Sequence, residues 1–233
     1  MKYYIDEHIY DFNLGTALNE ISEQRREQAL KFKFELGQRQ CVLAYLLLKR
    51  ALREEYGITA NPVFGYGEHG KPFIVDHSEI YFSLSHCREA VACAISDRPV
   101  GIDVESIREF RESLVRYTMN VAEQQQIMAA ERPDVAFIRL WTMKEAQLKL
   151  TGRGISDNMK GALGEELGVR SEGLGVRSEG CMGVDPGADA PGTAAVVGPG
   201  TAAVVGKYKY TTVECTGRGY IYTICEELLI PNS

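Results

Sequence analysis

Apolar residues in this chain take up helical spacing, switch to strand spacing, and then repeat the same change further on. That double alternation is the strongest constraint on what the chain can fold into. Residues 22–34 and 37–56 read as two helices; in the second, Val42, Leu43, Leu46, Leu47 and Ala51 share a face, and Gly57 supplies a stop. Short strands follow at Phe73–Val75, Ile80–Ser85, Ala90–Ile95 and Val100–Glu105, with turn chemistry at Gly65–Pro72 and at Asp97-Arg98-Pro99. Helical spacing returns over 108–131. Pro133 suits the first turn of a further helix, because its missing N–H costs nothing there. That helix is expected to carry Leu140, Trp141 and Leu148 and to stop at Thr151-Gly152. Tyr208–Cys215 and Tyr220–Cys225 read as a closing hairpin around Thr216-Gly217-Arg218-Gly219.

One stretch breaks the pattern. Residues 161–206 hold 12 of the 23 glycines and no aromatic residue. LGVRSEG occurs at 167–173 and again at 174–180; PGTAAVVG occurs at 191–198 and again at 199–206. Repeats this short cannot each form a solenoid unit, so the segment reads as a low-complexity surface insertion.

With 45% of its 233 residues apolar, the chain can bury a core. A formal net charge of −6 argues against nucleic acid as a partner. No uncharged apolar run is long enough to span a bilayer, and the opening Met1–Glu7 does not read as a signal peptide. None of the six cysteines forms a C-x-x-C pair, so free thiols in a reducing cytoplasm are expected.

Four groups of residues carry chemistry. In Gly101-Ile102-Asp103-Val104-Glu105, strand alternation puts Ile102 and Val104 toward a core and Asp103 and Glu105 outward on the other face. Two carboxylates roughly 6–7 Å apart at Cα repel unless a cation sits between them, and a hard divalent ion with oxygen ligands meets that need. In Trp141–Lys149, helical geometry aligns Trp141, Glu145 and Lys149 on one stripe. Glu145 would complete a three-carboxylate site, with Lys149 one turn away for a phosphate. Ser85 and His86 close the strand segment Phe82–His86 and offer a hydroxyl and an imidazole. Arg25, Arg26, Arg39 and Lys71 are candidate anion contacts, Lys71 within the turn His69–Pro72. Taken singly, each group also reads as ordinary solvated charge or a hydrogen-bonded structural residue.

Together these segments resemble the 4′-phosphopantetheinyl transferases, specifically the longer class typified by the activator of surfactin synthetase. The resemblance rests on the G-[IV]-D-x-E strand at Gly101–Glu105 and the [WF]-x-x-K-E-[AS]-x-x-K helix at Trp141–Lys149. It also rests on the F-x-x-S-H at Phe82–His86, the G-K-P turn at Gly70–Pro72, and Gly152-Arg153-Gly154-Ile155 after the helix. It covers roughly residues 20–155 and fails beyond 160.

The resemblance implies an α+β fold of two similar α/β halves in a pseudo-dimeric monomer, divided as 1–99 and 100–233, the insertion at 161–206 lying in the second half. It implies transfer of the 4′-phosphopantetheine of coenzyme A to a serine of an acyl or peptidyl carrier protein, with magnesium as cofactor. Asp103, Glu105 and Glu145 would hold the metal; Glu145 and Lys149 would be catalytic. Arg25, Arg39, Lys71, Ser85, His86 and Lys149 would bind coenzyme A. Gln28 stands where some relatives carry a lysine. Two alternatives use the same residues: a magnesium-dependent nucleotide or coenzyme A pyrophosphate hydrolase, and a non-catalytic coenzyme A or carrier-binding module.

Overall fold

In a computed structural model of the chain, residues 1–109, 111–153, 159–163 and 200–228 are described. The first half opens with strand β1 (Lys2–Asp6), then helices α1 (Leu14–Glu20), α2 (Glu23–Leu30) and α3 (Glu35–Tyr56). A small hairpin, β2 (Phe64–Tyr66) and β3 (Pro72–Ile74), leads to β4 (Tyr81–His86) and β5 (Val91–Ser96). The second half runs β6 (Val100–Ser106), α4 (Glu112–Thr118), α5 (Val121–Ala129), α6 (Pro133–Thr151), β7 (Gly200–Val205), β8 (Tyr208–Cys215) and β9 (Tyr220–Glu227).

The main elements follow the sequence expectations closely. The long helix ends at Gly57 and α6 ends at Gly152, each glycine in the left-handed conformation that favours it, and Pro133 opens α6. The stretch 108–131 is two helices rather than one, because Asn120 interrupts it. Its side chain accepts from the Glu123 amide while Glu123 caps the Asn120 amide. Strand β1 and helix α1 were not read from the sequence. Most of the low-complexity segment lies outside the described residues, but its last part is a strand: the second PGTAAVVG copy supplies β7, paired with β8 at the sheet edge. The end of the expected surface insertion is thus part of a sheet, which the sequence reading did not foresee.

Both sheets place their first strand beside their last. One sheet is ordered β1-β5-β4 and the other β6-β9-β8-β7, with antiparallel pairing throughout. Strand, helices and hairpin thus recur in the same order on either side of Pro99. Each sheet buries one face under its own long helix. Val42, Tyr45, Leu48 and Leu52 of α3 meet Phe82, Val91, Cys93 and Ile95. Ile138, Ala146 and Leu150 of α6 meet Tyr210, Ile221 and Cys225. The opposite faces meet each other: Ile5, Ala92 and Ala94 pack with Ile102, Val104, Tyr220, Tyr222 and Ile224. The alanines let the two sheets approach closely, and the apolar area removed from water there drives the halves together.

Candidate active site

Strand β6 is the edge of its sheet, and it is covered on both faces. Ile102 and Val104 face the inter-sheet core as expected. The other face, expected to point to solvent, lies against α6, so the outward placement of Asp103 is corrected: it is 3% exposed. Gly101 explains the approach. A Cβ on this residue would stand 1.9 Å from the Ala146 carbonyl oxygen and 2.7 Å from the Leu150 nitrogen. Without a side chain, strand and helix backbones meet there. Asp103 and Glu105, two and four residues on, then face the α6 turn that carries Glu145 and Lys149.

Asp103 Oδ1 accepts the Lys149 ammonium at 2.7 Å and the Ser85 hydroxyl at 2.8 Å. Lys149 therefore bonds across to the strand, and its ion pair is with Asp103 rather than with Glu145 one turn back. Glu145 is 6% exposed, and burial first, then the charge of Asp103, pushes its pKa up to about 7; Lys149 opposes the shift and Glu105 adds to it. Glu105 is raised by burial and by Asp103, against Arg108 and Lys149, and its carboxylate lies 3.8 Å from the Arg108 guanidinium. The three acids expected to cooperate thus lie in one another's field.

Within this cluster, the buried oxygens Asp103 Oδ2 and Glu145 Oε1 have no hydrogen-bond partner among the described residues. Buried carboxylate oxygens are rarely left so, and a hard cation is the group that satisfies several at once. The donor set fits magnesium chemically. In this arrangement the Lys149 ammonium takes Asp103 Oδ1, and among the described residues no three acid, histidine or cysteine side chains close round one point.

A cleft of about 260 Å³ opens beside this cluster, lined by Gly70, Lys71, Phe82, Leu84, Glu145 and Lys149 among others. Lys71 reaches it from the turn before β3. Its ammonium donates to the Leu150 carbonyl at 2.8 Å, near the C-terminus of α6, and burial lowers its pKa. His86 stands exposed at the end of β4; the surrounding protein, then Lys149 and Arg25, lower its pKa, and Asp103 opposes them. Two other expected contacts lie off the cleft wall. Arg25 forks onto the Cys41 carbonyl and bonds Gln28. Arg39 bonds Glu35 and the Phe12 carbonyl and stacks over Tyr10 and Phe12. In this arrangement both guanidiniums brace the N-terminal helices. Arg26 pairs with Glu23 at 3.8 Å on the α2 surface.

Lys144 lies within the Trp141–Lys149 motif, and no separate role was expected for it. Its ammonium is fully buried, and it donates to Glu123 at 2.7 Å and to the Met159 and Thr118 carbonyls. Burial lowers its pKa and Glu123 opposes the shift. The signals were present: Leu140, Lys144 and Leu148 form one stripe, and Asn120-Val121-Ala122-Glu123 has the capping-box spacing. The pair ties α6 to the start of α5, and so fixes the helix that carries Glu145.

Comparison with known proteins bears on this region. Residues 99–167 match the model of the 4′-phosphopantetheinyl transferase superfamily. The chain is 34% identical over 139 residues to the 4′-phosphopantetheinyl transferase psf-1 of Bacillus pumilus, covering 58% of this chain and 60% of that protein. It is 30% identical over 161 residues to the 4′-phosphopantetheinyl transferase gsp of Aneurinibacillus migulanus, covering 65% and 62%. It is 27% identical over 139 residues to the 4′-phosphopantetheinyl transferase Sfp of Bacillus subtilis strain 168, covering 58% and 62%. The matched segments thus span about three fifths of these relatives' lengths. The matched model runs through β6 and α6, the two elements that carry Asp103, Glu105, Glu145 and Lys149, and it is over this region that the chain is similar to the 4′-phosphopantetheinyl transferase superfamily.

Proposed function

We propose that this chain moves the 4′-phosphopantetheine of coenzyme A onto a serine hydroxyl of an acyl or peptidyl carrier protein, releasing adenosine 3′,5′-bisphosphate. The observation that carries this reading is that Asp103, Glu105, Glu145 and Lys149 lie in one another's field between β6 and α6, with one oxygen each of Asp103 and Glu145 buried and without a hydrogen-bond partner among the described residues. Asp103, Glu105 and Glu145 would hold magnesium. When bound, the ion neutralises charge on the phosphate oxygens of the breaking linkage.

The remaining work falls to the chain's own groups. Lys149 reaches the cleft from α6 and lies beside Asp103; it serves the charge that builds on the transferred phosphate. Lys71, across the same cleft, is a second cation for the diphosphate. His86, at the end of β4, lies within the field of Lys149 and Arg25, where an anion is welcome. Arg25 and Arg39 reach the adenosine 3′-phosphate only by exchanging their present carbonyl partners. Glu145, with a pKa pushed up to about 7, accepts the proton of the attacking serine directly or through a water. The carrier's nucleophile comes from outside the chain.

We place the division between the halves at 1–99 and 100–233, on the recurrence of strand, helices and hairpin on either side of it. One chain with both halves needs no second copy, so a monomer is expected. Among the described residues, no helix is long and apolar enough to cross a membrane. We place the protein in the cytoplasm, where coenzyme A and carriers are found and where thiols stay reduced; among the described residues the cysteines are buried and free.

The test is direct. The protein is incubated with coenzyme A, magnesium and a panel of apo carrier proteins, and carrier mass is followed. Gain of one phosphopantetheine on a carrier serine is the expected result. Hydrolysis of coenzyme A that ignores the carrier would show a pyrophosphate hydrolase, and tight binding without turnover would show a binding module; either overturns the proposal.

A further inference from the structure

The sheet face under α6 could have been wholly apolar, and it is not. Three threonines sit where valine would fill nearly the same space. Thr142 of α6 and Thr223 of β9 are fully buried, and Thr212 of β8 is 4% exposed. Thr212 faces Thr223 across the β8–β9 pairing, and Asp103 faces Thr223 across the β6–β9 pairing. Asp103, Thr223 and Thr212 therefore form one row across three strands. Thr142 reaches that row at Thr223.

Proton counting gives the hydroxyls a direction. Thr142 donates to the Arg139 carbonyl at 3.0 Å, and a carbonyl can only accept. Thr223 must then donate to Thr142 at 2.7 Å, and Thr212 to Thr223 at 2.9 Å. Each proton has an acceptor and none is left over. A buried hydroxyl without one would destabilise the fold.

Two further polar contacts flank this chain on the face of β8 that carries Tyr210, Thr212 and Glu214. The Glu214 carboxylate accepts from the Arg139 guanidinium, and the Tyr210 hydroxyl donates to Gln147 at 2.7 Å. From Arg139 to Gln147 the helix rises about 12 Å, and from Glu214 to Tyr210 the strand runs about 13 Å. The two lengths match, so α6 is held against β8 at both ends and, through Thr223, in the middle. Apolar packing is non-directional and tolerates a helix turned or slid on its sheet. Hydrogen bonds, with their narrow lengths and angles, do not. Thr142 also lies on nearly the opposite side of α6 from Lys144, and Glu145 follows it within one turn.

We infer that the hydroxyl chain Thr212–Thr223–Thr142 positions Glu145, by setting the rotation and height of α6 over the row that carries Asp103. None of the three threonines lines the cleft, so their effect reaches the acids through the helix backbone. This role deepens the proposed transferase reading and rests on it for magnesium and turnover. The hydroxyl chain itself does not depend on that reading.

The experiment compares Thr223→Val, Thr223→Ser and the triple variant Thr142→Val/Thr212→Val/Thr223→Val. Urea unfolding is first measured in chelator. Thr223→Val strands the Thr212 proton in the core and should shift the unfolding equilibrium at least about fivefold toward the unfolded state. The triple variant strands no proton and should be more stable than Thr223→Val alone, close to wild type. A triple variant less stable than Thr223→Val would mean that the hydroxyls act separately, and the chain would fall.

Magnesium affinity is then measured by calorimetry without coenzyme A, and kcat with a carrier. The triple variant should bind magnesium about tenfold more weakly and turn over about tenfold more slowly, despite its restored stability. Thr223→Ser keeps the hydroxyl and should stay within about threefold of wild type in both. Wild-type magnesium affinity in the triple variant would make the threonines structural only. Equal losses in Thr223→Ser and Thr223→Val would show that the hydroxyl is not the cause. If the wild-type protein modifies no carrier or binds no magnesium, the transferase reading fails. A crystal structure of the triple variant still decides the positioning: Glu145 should move by about 1 Å against β6, and an unmoved Glu145 would overturn the inference.

Discussion

Glu145→Gln should make the metal-free protein more stable at alkaline pH while abolishing transfer. Glu145 is buried against Asp103 and Glu105, and its carboxyl is pushed from the ordinary 4.5 up to about 7. A folded-state pKa above the unfolded value means that the folded protein binds more protons between these two pH values. Its stability therefore falls as pH rises from about 4.5 through 7. At about 1.4 kcal/mol per pKa unit, the full penalty above that window is roughly 3 kcal/mol. Glutamine has the same shape and no charge, so it removes the penalty. A buried amide with an imperfect partner takes back about 1 kcal/mol, leaving a net gain of about 2 kcal/mol at pH 8.5. For a chain of this size that gain raises Tm by roughly 4–8 °C. Near pH 4.5 the two proteins should be equally stable, or the variant slightly less so. The assay is urea or thermal unfolding of both proteins in chelator across pH 4.5–8.5, repeated with millimolar magnesium. Magnesium should raise the wild-type Tm at pH 8 and leave the variant nearly unmoved. Parallel stability curves across the pH range, or a variant less stable at pH 8.5, would refute the placement of Glu145 among buried like charges.

Three further outcomes follow from the same geometry. Asp103→Ala should abolish carrier modification while the far-ultraviolet circular dichroism stays native; a folded variant with near-normal activity would remove Asp103 from the site. Gly101→Ala pushes a methyl group into the α6 backbone at Ala146, where neither strand nor helix can yield. It should cost about 3 kcal/mol in urea unfolding and lower activity more than stability, since Asp103 and Lys149 lose their register. Lys144→Met leaves the Glu123 carboxylate buried and uncompensated, costing about 3–5 kcal/mol by denaturation, and adding Glu123→Leu should recover a substantial part of that loss.

What could be read from the sequence was whatever a short window determines. The helices Glu35–Tyr56 and Pro133–Thr151 announced themselves by apolar spacing and by glycine or proline at their ends, and β4 to β6 by alternation. Strand β1 was missed because Lys2–Asp6 is short, and its pairing with β5 joins residues some ninety positions apart. The paired acids of β6 were found, but their surroundings were misjudged. Alternation tells which residues share a face and says nothing of what covers it, and here Gly101 lets a helix lie where water was expected. The arginines show the same limit from the other side. Arg25 and Arg39 looked like free cations on helices, yet both guanidiniums find carbonyls contributed by chain segments that no local pattern connects to them.

If the acids act as proposed, their buried setting requires β4, β6 and α6 to fold together for the chemistry to exist. Asp103 and Glu105 lie on β6, Glu145 and Lys149 on α6, and Ser85 on β4 of the other half. None of the three elements alone would hold a charged carboxylate away from water. The strand-to-helix contact at Gly101 and Ala146 sets the spacing of the acids, the buried Lys144–Glu123 pair keeps α6 from turning about its axis, and the Ser83 hydroxyl, which accepts from the Ile102 amide, ties the remaining edge to β4. A perturbation anywhere in this frame should therefore reach the acids through geometry rather than through charge, which is why stability and metal affinity have to be measured together in every variant.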